Sequence, residues 1–133
     1  MNSDSLSGLG SNEMEFDFNS SDSILDVKMP ANLKISDVLD YYKTIKRSNQ
    51  YPKDLKVLID AEYTEFMFIP YDLDKIKEAV ENTLESYSSI KEALVTSKPV
   101  STAIAMLFGE IEINNYEFQA FYTQSAARKW LKE

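Results

Sequence analysis

Apolar and polar residues alternate from Glu15 to Asn19, around Phe16 and Phe18, and again from Ile24 to Met29. That period puts one side of an extended chain against a core, so two strands are expected. Between them Asn19 to Asp22 reads Asn-Ser-Ser-Asp, a run of turn formers, and the pair reads as a hairpin. The period then becomes helical from Ser36, the expected cap, to about Arg47. Val38, Leu39, Tyr42 and Ile45 form its apolar face, and Lys46 and Arg47 suit the negative end of the helix dipole. Tyr51-Pro52 interrupts the pattern. Leu55 to Asp60 is a short apolar run and the expected central strand.

A second helix is expected from about Asp72 to Tyr87, with Leu73, Ile76, Val80, Leu84 and Tyr87 on one stripe. Glu92 to Ser97 is the next expected strand. Pro99 suits the first turn of a third helix reaching about Glu112. Its face toward the sheet is expected to hold Val100, Ile104, Leu107, Phe108 and Ile111, leaving Ala105 and Met106 partly exposed. From Tyr116 to Tyr122 the chain alternates once more. Thr123 is then an expected N-cap, and the helix after it sets Ala127, Trp130 and Leu131 on one face. The order β-β-α-β-α-β-α-β-α predicts a single α/β domain. Its sheet is mainly parallel, with about five strands, an N-terminal antiparallel hairpin strand and about four helices.

Composition narrows the chemistry. The chain has 133 residues and neither cysteine nor histidine. That excludes disulfides, a thiol nucleophile, an imidazole base and a His-type zinc site. A reducing, cytoplasmic setting is expected, since nothing resembles a secretory signal or a membrane span. The net charge is −8. Residues 1–26 hold six acids and no base, leaving 16 of the 22 acids against all 14 bases. An acidic segment argues against nucleic acid and against anionic membrane surfaces, which favour basic patches. Residues 1–13 are rich in Ser, Asn and Gly and read as a flexible tail, with the domain at 14–133. No cofactor or metal is expected, because no Gly-rich phosphate loop or Asp-rich calcium loop is present. No catalytic residue stands out. Glu78, Glu81 and Glu85 have the spacing of a solvated helix face, and a hydroxyl nucleophile would have no histidine base.

Three segments carry a family resemblance. They are Val57-Leu58-Ile59-Asp60-Ala61; Ala93 to Pro99 leading into Thr102 to Leu107; and Phe121-Tyr122-Thr123 leading into Ala126-Ala127 and Trp130-Leu131. In that order and spacing the chain resembles the STAS superfamily, the domain of anti-sigma-factor antagonists, and its small stand-alone bacterial branch. The likeness covers roughly residues 14–131. It implies regulation by protein contact or by small-ligand binding, without catalysis. Regulatory members carry a phosphorylatable Ser or Thr just after the central-strand Asp. Here Asp60 is followed by Ala61, and Thr64 is the first such hydroxyl, a weak candidate phosphosite.

In an open α/β sheet the functional crevice lies beyond the carboxyl ends of the parallel strands. The candidate ligand or partner residues there are Asp60, Tyr63, Thr64, Phe66, Phe68, Ser97, Lys98, Ser101 and Thr102, with Thr123 and Ser125 at the margin. The competing structural expectation is that Ser101 and Thr123 cap helices and Asp60 anchors a turn. Phe66 to Tyr71 is apolar for a loop. It reads either as core packing or as the wall of a pocket for a small amphiphile. Met106 is a candidate interface residue. The leading expectation is a non-enzymatic domain that binds a protein partner or itself. The second is a small-molecule or lipid carrier.

Overall fold

A computed structural model of the protein describes residues 13–133. The expected tail at 1–13, save Glu13, lies outside the described residues. Five strands form the main sheet: β1 (Glu15–Asn19), β2 (Ile24–Lys28), β4 (Asp54–Asp60), β6 (Ser89–Val95) and β7 (Tyr116–Phe121), in that spatial order. β1 pairs antiparallel with β2 at one edge, and every other pairing is parallel. Two further strands, β3 (Asn32–Leu33) and β5 (Glu65–Phe66), form a small parallel pair of their own. Runs of two residues are too short to leave a period in the sequence, so β5 reads there as loop.

The helices are α1 (Ile35–Arg47), α2 (Leu73–Thr83), α3 (Pro99–Gly109) and α4 (Gln124–Leu131). The three crossovers step across the sheet in one direction. Right-handed crossovers of that kind put their helices on one face. The larger core lies there, between the sheet and α1, α2 and α3. The other face carries a smaller cluster of Ile24, Leu58, Ala93 and Val95, covered by Ala127 and Leu131 of α4.

Several boundaries differ from expectation for identifiable reasons. α1 starts one residue before Ser36, which does not cap it. The Asp37 carboxylate instead accepts the Lys34 backbone N–H at 2.9 Å. Tyr41 joins the buried face of α1, and Leu39 lies at its margin. α2 ends at Thr83, whose hydroxyl donates back to the Ala79 carbonyl at 2.7 Å. Such bonds compete with helix continuation. Tyr87 is buried all the same, its hydroxyl donating to the Ile45 carbonyl at 2.5 Å. β6 begins three residues before Glu92 and ends at Val95.

α3 stops at Gly109, short of Glu112, and is rotated from the expected face. Ser101, Ile104, Ala105 and Phe108 are buried, while Val100 and Leu107 are exposed. The small side chains of Ser101 and Ala105 allow close approach to the sheet, which a face of Leu107 and Val100 would prevent. Met106 is exposed, as expected.

Thr123 caps α4 as expected, its hydroxyl accepting the Ala126 N–H at 3.1 Å. Thr123→Ala should therefore lower stability by about 1 kcal/mol. A thermal melt with no displacement would contradict the capping role.

Candidate functional site

The segments after β4, β6 and β7 meet at the carboxyl end of the parallel strands. Most of the polar groups expected to act there are committed to the fold. Asp60 Oδ1 accepts the Glu62 N–H at 3.2 Å, and Oδ2 accepts from Gln124 Nε2 at 3.2 Å, so Asp60 anchors its turn and ties it to α4. Thr64 is buried and donates from Oγ1 to the Pro30 carbonyl at 2.9 Å. Ser101 does not cap α3. It lies in the first turn, and its hydroxyl donates to the Thr64 carbonyl at 3.3 Å. Ser97 donates to the Glu62 carbonyl at 3.1 Å, and Thr102 to the Lys98 carbonyl at 2.8 Å. Lys98 pairs with Glu65 at 2.9 Å.

Asp60, Tyr63 and Thr64 share one surface cleft. Ser97 and Lys98 do not line it, and Thr102 and Met106 line a different groove, against β7. Thr64 is the weak phosphosite candidate, and its hydroxyl points inward. Phosphorylation would require this turn to open first.

What the loop end offers outward is apolar. Eight large apolar side chains are exposed among the described residues: Tyr63, Met67, Ile69, Tyr71, Val100, Met106, Leu107 and Tyr122. Six of them lie in the loops and first helical turn after β4, β6 and β7, while Met106 and Leu107 lie about two turns further along α3. The loop from Phe66 alternates: Phe68 is buried and Phe66 half-buried, while Met67 and Ile69 face solvent. The two phenylalanine rings stack 5.1 Å apart. They close one side of an apolar cavity of about 60 Å³, also lined by Tyr41, Tyr42, Ile76, Ile104 and Phe108.

Beside this cavity lies a group that sequence reasoning missed. Glu92 of β6 is fully buried. Its Oε2 accepts from the Tyr41 hydroxyl at 2.6 Å, and its Oε1 from Tyr42 at 2.8 Å and from Tyr116. The carboxylate thus fastens α1 to β6 and β7. Strand parity could have revealed it, because Glu92 shares a face with Ile90 and Leu94. Burial pushes the Glu92 carboxyl above its ordinary value, while the three phenol hydrogen bonds act in the opposite sense. Burial, together with the Glu92 charge, pushes Tyr41, Tyr42 and Tyr116 well above the usual tyrosine range.

With its folded value raised, Glu92 holds its proton more tightly when folded than when unfolded. Its contribution is fully present below the unfolded carboxyl range and is lost as pH rises through the folded value. The stability of the wild type relative to Glu92→Gln should therefore decline from about pH 4 toward neutrality. Urea titrations of both proteins at several pH values measure it; a difference that grows with pH would contradict the raised value.

Among the described residues no group of three acidic side chains is placed to hold a metal ion, and no helix is long and apolar enough to cross a membrane.

The architecture is a SpoIIAA-like fold. No family model matches the chain, and no curated protein matches it. Among solved structures it is similar to an uncharacterized protein of the DUF3478 family, with a SpoIIAA-like fold, from Shewanella loihica PV-4. The TM-score is 0.58 and the identity 15%, over 89% of this chain and 91% of that one.

Proposed function

We propose that this domain is a non-enzymatic regulatory module that works by protein contact at the carboxyl end of its parallel strands. One observation carries the reading: among the described residues, six of the eight exposed large apolar side chains lie in the loops and first helical turn after β4, β6 and β7. Concentrated apolar exposure marks interaction surfaces. The polar groups nearby support it, because their hydrogen bonds hold these loops in place and assemble no nucleophile with a base.

Pull-down from the native host and sedimentation test the proposal. The wild type should recover a partner, or itself, and a Met67→Ser/Ile69→Ser variant should lose it while melting normally. A strictly monomeric wild type that recovers nothing would remove it.

The apolar cavity favours a second reading, a carrier of a small amphiphile behind Phe66 and Phe68. At about 60 Å³ the cavity falls below the roughly 150 Å³ that admits benzene. A carrier would have to swing the Phe66–Tyr71 segment outward. Native mass spectrometry decides it: a bound mass lost in Phe68→Trp supports a carrier, and bare protein throughout argues against one.

A further inference from the structure

β7 is the outermost strand, and no strand among the described residues pairs with its outer side. Its bonds to β6 determine which peptide groups are free. Thr96 N–H donates to the Phe121 carbonyl and Ile90 N–H to the Asn115 carbonyl. The parallel register continues between them without a break, so residues 115, 117, 119 and 121 turn their peptide groups toward β6. Phe118, Ala120 and Tyr122 turn theirs away. Edge strands are commonly guarded by proline, lysine or a bulge. β7 reads Tyr-Glu-Phe-Gln-Ala-Phe and has none of these, and it carries one acid, Glu117, against two in five residues of β1 at the opposite edge.

A groove follows this edge. One cleft of about 490 Å³ lies between α3 and β7, with Thr96, Met106 and Glu110 in its lining. A second, of about 500 Å³, continues past Glu112 and Glu117 and shares Gly109, Phe118 and Gln119 with the first. Thr96 is 1% exposed, and its hydroxyl has no hydrogen-bond partner among the described residues. Glu110, Glu112 and Glu117 are exposed along the groove and form no ion pair among the described residues.

We propose that this groove takes an extended, lysine- or arginine-bearing segment of a protein partner as a sixth strand beside β7. The free peptide groups of Phe118, Ala120 and Tyr122 supply the pairing, and the three glutamates select a cationic partner. A second copy of the chain is the poorer occupant, because it would bring its own Glu117 and a net charge of −8 against the same acidic groove. The inference rests on the protein-contact reading and adds a place and a partner chemistry to it.

The test uses the full chain and a fluorescein-labelled synthetic peptide of about eight residues, a typical strand length, alternating valine and lysine. Anisotropy should show binding, and amide exchange at Phe118 and Ala120 should slow. A glutamate-for-lysine peptide, and one methylated on alternate backbone nitrogens, should not bind. Glu117→Lys should weaken binding about tenfold. Equal binding of the methylated peptide, or protection confined to residues outside β7, would overturn the proposal. If the lysine peptide fails while the wild type still recovers a partner that Met67→Ser/Ile69→Ser releases, the groove is wrong and protein contact stands. If both fail, both readings fall.

Discussion

Glu92→Ala should lower the folding free energy by about 4 kcal/mol, because it strands three phenol hydroxyls in the core and leaves a void. For a domain of this size that corresponds to a melting temperature lower by about 15 °C. The carboxylate is fully buried and accepts all three phenols, from two positions on α1 and one on β7. Removing one donor is milder: Tyr41→Phe should cost about 1 kcal/mol, since the other two bonds persist. Glu92→Gln should fall between, because its amide nitrogen cannot accept from Tyr41. Combining Glu92→Leu with phenylalanine at all three tyrosines should recover much of the loss, since an apolar replacement of the whole network removes every unsatisfied group. Urea titration gives each value. A Glu92→Ala protein within about 1 kcal/mol of wild type would show that the cluster adds little to folding.

The second large effect belongs to the opposite face. Leu131→Ala should cost about 3 kcal/mol, within the usual range for emptying a fully buried leucine site. Leu131 packs with Ile24, Leu58, Ala93, Val95 and Ala127, and among the described residues the only helix in that cluster is α4. No second helix can shift to fill the void. Arg128 adds a polar clamp on the same helix, pairing with Asp22 at 2.6 Å and with Asp26, and so tying α4 to the hairpin. An unchanged midpoint for Leu131→Ala in denaturant would mean that α4 is not docked as described.

Much of this architecture was legible in the chain because period and punctuation agree. Leu55 to Asp60, Pro99 and Thr123 each mark an element that the structure contains. Helix rotation was less legible. Val100 and Leu107 look like core residues by type, yet Ser101 and Ala105 are buried in their place because small side chains suit close helix–sheet approach. The polar candidates Asp60, Thr64, Ser97 and Ser101 could be placed at the right end of the sheet. Their hydrogen-bond partners could not, since Pro30, Gln124 and Glu62 reach them only through the folded chain. Glu92 was the hardest to read. A lone acid in a strand looks solvated, and the phenols that hold it come from 24 to 51 residues away.

The placement of the single tryptophan gives this domain a built-in optical probe. Trp130 sits on α4, its ring 5.5 Å from that of Phe121 and 4.5 Å from the Lys91 ammonium. The tyrosine cluster lies across the sheet. Tryptophan emission will therefore track loosening of α4, and near-ultraviolet tyrosine dichroism will track separation of α1 from the strands. Coincident transitions would show that the two layers melt as one cooperative unit. A red shift at lower denaturant would identify α4 as the part of the domain that opens first.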